Sequence, residues 1–186
     1  MQYKQHIDKK MKEIIIALDK KKLILLLFAG IGFTFFSFWF ILKPSDFVNF
    51  ITRSESIVFI AGILGLIVFG LGSILLFKKL FDNKPGLIIN ERGIIDNTNS
   101  SSIGLIKWSD IIKISQKKVV STKFLLVEIR NPEEYIEKAN RLKKLTLRQN
   151  LNTYGTPITL TSVGLQCSFE ELERLILESY NQSKQI

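Results

Sequence analysis

The sequence predicts an α+β membrane protein: a two-helix transmembrane hairpin, then a small β-barrel or bent antiparallel sheet with an inserted helix and a C-terminal capping helix. Three observations predict it. Residues 23–42 and 57–77 contain no charged side chain. From residue 84 the chain changes to short β-branched runs separated by turn residues. Two later segments open on helix-capping residues. The expected organisation is a basic cytoplasmic N-terminal segment (1–22), a transmembrane hairpin (23–80, external loop 43–56) and a cytoplasmic domain (84–186).

The N-terminal segment carries seven lysines against three acids. Ile7, Met11, Ile15 and Leu18 recur at helical spacing among them, as on an interfacial amphipathic helix. The run 13–18, Glu-Ile-Ile-Ile-Ala-Leu, is equally strand-like, so both readings stand.

A helix of about 20 residues, rising 1.5 Å per residue, spans roughly 30 Å, the hydrocarbon thickness of a bilayer. Both apolar runs reach that length, and neither shows the polar stripe of a soluble helix. The first run is too long for a cleaved signal peptide, ends in aromatic residues and is soon followed by a second run, so it is expected to remain. Lys20, Lys21 and Lys22 abut the first run and Lys78 and Lys79 the second, whereas the connector has no net charge. Positive-inside asymmetry then puts both termini in the cytoplasm, with Trp39 at the outer interface. With no ionisable residue inside either run, a charged midplane transport site is not expected. Gly30, Thr34, Ala61 and Gly65 offer small-xxx-small spacing for close helix approach, either within the hairpin or between copies in a homo-oligomer.

In the domain, residues 87–90 and 94–96 flank Glu91-Arg92-Gly93, a hairpin whose glycine supplies a positive φ. A polar loop at 97–102 precedes strands at 105–108, 111–119 and 123–130. Asn131-Pro132-Glu133-Glu134 opens a helix with a cap, a first-turn proline and dipole-matching acids. That helix is expected to run past Arg148, burying Tyr135, Ala139, Leu142 and Leu145, with its cations towards the C-terminal end. Strand character returns at 157–161 and 165–167. Ser168-Phe169-Glu170-Glu171 is a capping box for a final helix with Leu172, Leu175 and Ile176 on one stripe.

The runs PGLIINERGIIDN, IGLIKWSDIIKI, FLLVEIRNPEEYI, YGTPITL and FEELERLI resemble an uncharacterised family of bacterial inner-membrane proteins. Its members have two N-terminal transmembrane helices and a cytoplasmic domain similar to pleckstrin-homology (PH-like) domains. The Trp-Ser-Asp-Ile turn at 108–111 is similar to a feature recurrent in PH-like domains. The resemblance spans the chain from Lys20 onward. It implies an architecture and a bacterial inner-membrane location, and no reaction.

No phosphate-binding loop, serine-hydrolase elbow, zinc-protease or Cys-x-x-Cys motif occurs. Glu133/Glu134 and Glu170/Glu171 fall in helix first turns, where capping and the dipole account for them. The hydroxyls at 159–162 have no histidine in the domain to act as base. His6 stands in the lysine-rich tail, and a lone Cys167 reads as a small buried residue. No enzyme activity, cofactor or metal is expected. The chain has a net charge of +9, about half of it flanking the apolar runs, which argues against nucleic acid.

The candidate functional residues are Lys138, Arg141, Lys143, Lys144 and Arg148, as contacts for an anionic surface, extended by Lys117, Lys118 and Lys123. Lysines and arginines near anionic headgroups each contribute about 1 kcal/mol. The expected function is a membrane-anchored scaffold binding a protein partner or anionic lipid at the cytoplasmic face. The alternative is a ligand-gated membrane effector whose spans oligomerise to perturb the bilayer.

Overall fold

An apolar run removed from water satisfies its backbone groups most simply as a helix, and both runs form one. They are α1 (Lys20–Leu42) and α2 (Glu55–Leu80). The computed structural model describes residues 11–48, 54–98 and 102–185, so His6 and Ile7 lie outside the described residues. It divides into two units, one of Asp19–Asn83 and one of Met1–Leu18 with Lys84–Ile186.

In the first unit, the Asp19 carboxylate caps α1 by accepting the Lys22 backbone N–H at 3.1 Å. That bond holds its carboxyl below the ordinary value. α2 closes on Lys78 and Lys79, the charge its C-terminal dipole favours. Between the helices, Pro44–Phe47 forms a 3-10 turn. Phe47 sits between Trp39 and Phe40, with ring centroids 5.7 and 4.5 Å away. Both helices are long and apolar enough to cross a membrane, and only 6% and 11% of their most apolar windows are buried.

The second unit begins before the helical pair. Ile14–Ile16 is a strand, β1, which favours the strand reading for residues 13–18. It pairs antiparallel with β2 (Leu87–Asn90), and β2 pairs with β3 (Gly93–Asp96) and β3 with β4 (Gly104–Lys107). The helical pair is therefore inserted in sequence between two adjacent strands of one sheet. The bridge between Leu18 and Leu165 and the bond from Gln166 N–H to Ala17 O extend that attachment.

A second antiparallel sheet holds β5 (Ile111–Val119), β6 (Thr122–Ile129) and β7 (Ile158–Leu160) in that order. The expected barrel is not closed, because the two sheets share no hydrogen-bonded edge. They bury one core instead. Leu87, Ile89, Ile94 and Ile106 from the first sheet meet Leu125, Val127, Ile158 and Leu160 from the second. Phe169, Leu172, Ile176 and Tyr180 of the C-terminal helix α5 (Phe169–Ser183) join them. Ser168 accepts the Glu171 N–H at 3.1 Å, as the capping box requires. The expected strand at 165–167 is reduced to the Leu165 bridge, with Cys167 half-buried beside the core.

Gly93 has φ +153°, and a Cβ there would overlap the Ile106 carbonyl of β4, so the turn requires glycine. Trp108–Asp110 forms the 3-10 turn that carries the chain from one sheet to the other. Its indole N–H donates to Asn90 O at 2.8 Å, and Arg130 N–H donates to Asp110 O at 2.8 Å. The turn is thus bonded to both sheets.

The helix expected from 132 past Arg148 is two helices, α3 (Pro132–Glu137) and α4 (Arg141–Tyr154). Asn140 interrupts it by accepting the Lys143 N–H at 3.0 Å, a second N-cap. Gly155, with φ +76°, ends α4. The new register buries Leu147 and leaves Leu142 78% and Leu145 67% exposed, reversing their expected burial.

Candidate functional site

The break at Asn140 changes what surrounds the five candidate cations. Arg141, Lys143 and Lys144 lie in the first turn of α4, at the positive end of its dipole, and not at the favourable end. Carboxylates on α3 compensate. Lys138 Nζ lies 2.6 Å from Glu134, Lys144 pairs with Glu137, and Arg148 Nη2 lies 3.2 Å from Glu137 and 3.9 Å from Glu133. The Lys144 ammonium beside it, then Arg148, holds the Glu137 carboxyl below its ordinary value. Lys143 is occupied differently, donating to the Ser102 carbonyl at 2.7 Å. Lys143 and Arg141 thus have no ion-pair partner among the described residues.

The five cations therefore share one helix–helix corner, but three acids stand among them. Exposed pairs of this kind contribute little to stability because solvent screens them. Their consequence is chemical: the three carboxylates offset part of the corner's five positive charges, and its most exposed apolar atoms are those of Leu142 and Leu145. Sequence reasoning missed those leucines because it placed them on the inner side of a single helix. The Asn140 cap was the available signal.

A second group of lysines lies on the β5–β6 hairpin. Lys117 and Lys118 are exposed, and Lys123 pairs with Glu170 at 2.7 Å, lowering the Glu170 carboxyl below its ordinary value. Lys117 Nζ also lies 5.0 Å above the Tyr154 ring at the end of α4.

In the helical pair, Gly30 faces Ser73, and a Cβ there would lie 2.6 Å from its Oγ. Gly65 faces Ser37, whose hydroxyl donates to Phe33 O at 2.8 Å. Thr34 donates back to Gly30 O at 2.8 Å within its own helix. Ala61 is exposed, and its neighbour Gly62 takes the buried position, where a Cβ would approach Ser37 O to 2.9 Å. Two of the four expected packing residues, Gly30 and Gly65, thus meet the facing helix directly. Ser37, Gly62 and Ser73 complete the contact, and Phe33 stacks on Phe69 with centroids 4.8 Å apart.

Searches of protein-family models, curated proteins and solved structures find no match to this chain.

Proposed function

We propose that this chain is a membrane-anchored binding module: α1 and α2 cross a bacterial inner membrane, and the α+β unit, PH-like in plan, docks a protein partner or anionic lipid at the cytoplasmic face. The insertion of an apolar helical pair between β1 and β2 carries the reading, since it leaves the unit no route away from the bilayer. Several facts support it. A core helix of a soluble protein buries most of its surface, whereas these helices expose Phe28, Phe35, Phe36, Phe38, Ile67 and Leu71. Four strands, then three, then a C-terminal helix is a succession similar to that of PH-like domains. The lysines next to both helices favour cytoplasmic termini.

At the α3–α4 corner, the ion pairs that offset part of the positive charge and the two exposed leucines favour a protein over a lipid surface. Leu142 and Leu145 form the apolar centre of the patch, and Arg141 and Arg148 lie at its rim.

The test labels single cysteines in intact cells with a membrane-impermeant maleimide, in a Cys167→Ser background. Ser45→Cys labels directly and Ser183→Cys only after permeabilisation; the reverse pattern overturns the orientation. The full chain, extracted in mild detergent, migrates as a complex that L142E/L145E dissociates. A complex indifferent to that change removes the corner as the binding face.

A further inference from the structure

We propose that the tip of the β5–β6 hairpin is a second contact site, one that inserts into the anionic surface of a bilayer. The inference rests on the membrane-anchored reading and adds a site which that reading does not contain. Two local features of the tip oppose folding, and both are explained by such a contact.

The first is Val120. The pairing of Val119 with Thr122 leaves a two-residue loop, Val120-Ser121. Val120 has φ +54°, the only positive φ at a non-glycine residue among the described residues. Such a φ is a true outlier for a β-branched side chain, and two-residue hairpin loops favour glycine or asparagine there. Nothing in the fold offsets the strain, because Val120 is 92% exposed. An apolar side chain at a strained and fully solvated position has its function outside the folded unit.

The second is charge. Lys118 stands directly across from Lys123, a like-charge pair of the kind that destabilises a sheet. Residues 114–123 contain three lysines and no carboxylate. Glu170 neutralises Lys123, while Lys117 and Lys118 have no carboxylate partner among the described residues. The tip is thus a small apolar point backed by two ammonium groups that no carboxylate among the described residues neutralises, that of Lys117 resting over the Tyr154 ring. This order matches a lipid surface, where valine enters the interface and the lysines remain at phosphate level. A nucleic acid would match the lysines and leave the valine unexplained, and a protein partner would leave the tip out of reach of a quencher in the lipid.

The test uses the full chain in nanodiscs of phosphatidylcholine, with or without phosphatidylglycerol. In a Cys167→Ser background, a fluorophore is attached at Ser121→Cys, or at Phe38→Cys in α1, and quenched by brominated lipid. The tip label is expected to be quenched with phosphatidylglycerol present, and less so at high salt. K117S/K118S lowers the immersed-to-withdrawn ratio roughly 25-fold, the product of two factors of about five. V120G is expected to raise the thermal midpoint by roughly 4–8 °C while reducing quenching. A structural role for Val120 predicts the opposite change in midpoint and would overturn the proposal. A tip label left unquenched while the Phe38→Cys label is quenched overturns the tip site and spares the anchored reading. If neither is quenched, the anchored reading falls as well.

Discussion

The Tyr135 hydroxyl donates to Oδ2 of Asp110 at 2.6 Å, joining α3 to the turn between the two sheets. The Tyr135 hydroxyl oxygen itself accepts the Lys107 N–H at 3.3 Å, and Ser109 Oγ donates to Oδ1 of Asp110 at 2.9 Å. The Trp-Ser-Asp turn is consequently a structural node, with its carboxylate committed to holding elements together. Tyr135→Phe removes the bond and leaves a part-buried carboxylate oxygen without its donor. The expected loss is about 1–2 kcal/mol, measured by thermal or denaturant unfolding.

The same pair predicts a pH dependence. Burial, with the hydrogen bond to Asp110 second, raises the Tyr135 pKa from 10.0 to about 12. A raised pKa in the folded state stabilises fully below the unfolded value and loses that contribution as pH rises to the folded one. Stability should fall between about pH 10 and pH 12, and Tyr135→Phe should flatten that part of the curve. Tyr135 donation holds the Asp110 carboxyl below its ordinary value. Its contribution is therefore present above the unfolded carboxyl pKa and disappears as acid protonates the folded group.

Ile16 of β1 is 6% exposed and belongs to the same core as Leu87 and Ile89. Ile16→Ala should lower unfolding stability by about 2–4 kcal/mol. A fragment beginning at residue 84 lacks β1 and presents an unpaired β2 edge, so it should aggregate. Joining residues 11–18 to 84–185 through a short flexible linker should restore solubility, as light scattering would register. Equal behaviour of the two fragments would count against β1 as an integral strand.

On α4, buried and exposed residues should respond differently. Leu147 is 2% exposed, and Leu147→Ala should cost about 3 kcal/mol. Glu137→Gln removes two exposed ion pairs and should leave the thermal midpoint nearly unchanged at neutral pH. Equal losses from the two variants would mean that the corner is held by charge and not by packing.

In the helical pair, Gly62→Val places side-chain atoms against the Ser37 carbonyl and Phe40, and should separate the helices. Cysteine crosslinking between positions 30 and 73 should then fall sharply. Ala61→Val, on the exposed side of α2, should leave that crosslink intact.

Much of the architecture was legible in the order of residues. An uncharged run of 20 residues has few options, so α1 and α2 follow from composition and length. Gly93 and Pro132 act through their own backbone and Ser168 through a hydroxyl that caps its own helix, and each stands where its local chemistry predicts. The two helices at 132–154 were less legible, because Asn140 can cap a new helix or sit within an old one. The choice depends on whether Leu147 or the Leu142–Leu145 pair meets the core, which is a property of the partner surface.

By itself, then, the sequence determined what nearest neighbours decide: the two long apolar helices, the Ser168 cap and the Gly93 turn. Tertiary structure alone decided that Ile14–Ile16 pairs with Leu87–Asn90 across the inserted helices, that the sheets stay separate, and which cations meet carboxylates. The reason is physical. Strand pairing and ion pairing are set by groups distant in the chain, and a short run such as Ile-Ile-Ile carries no mark of which edge will receive it.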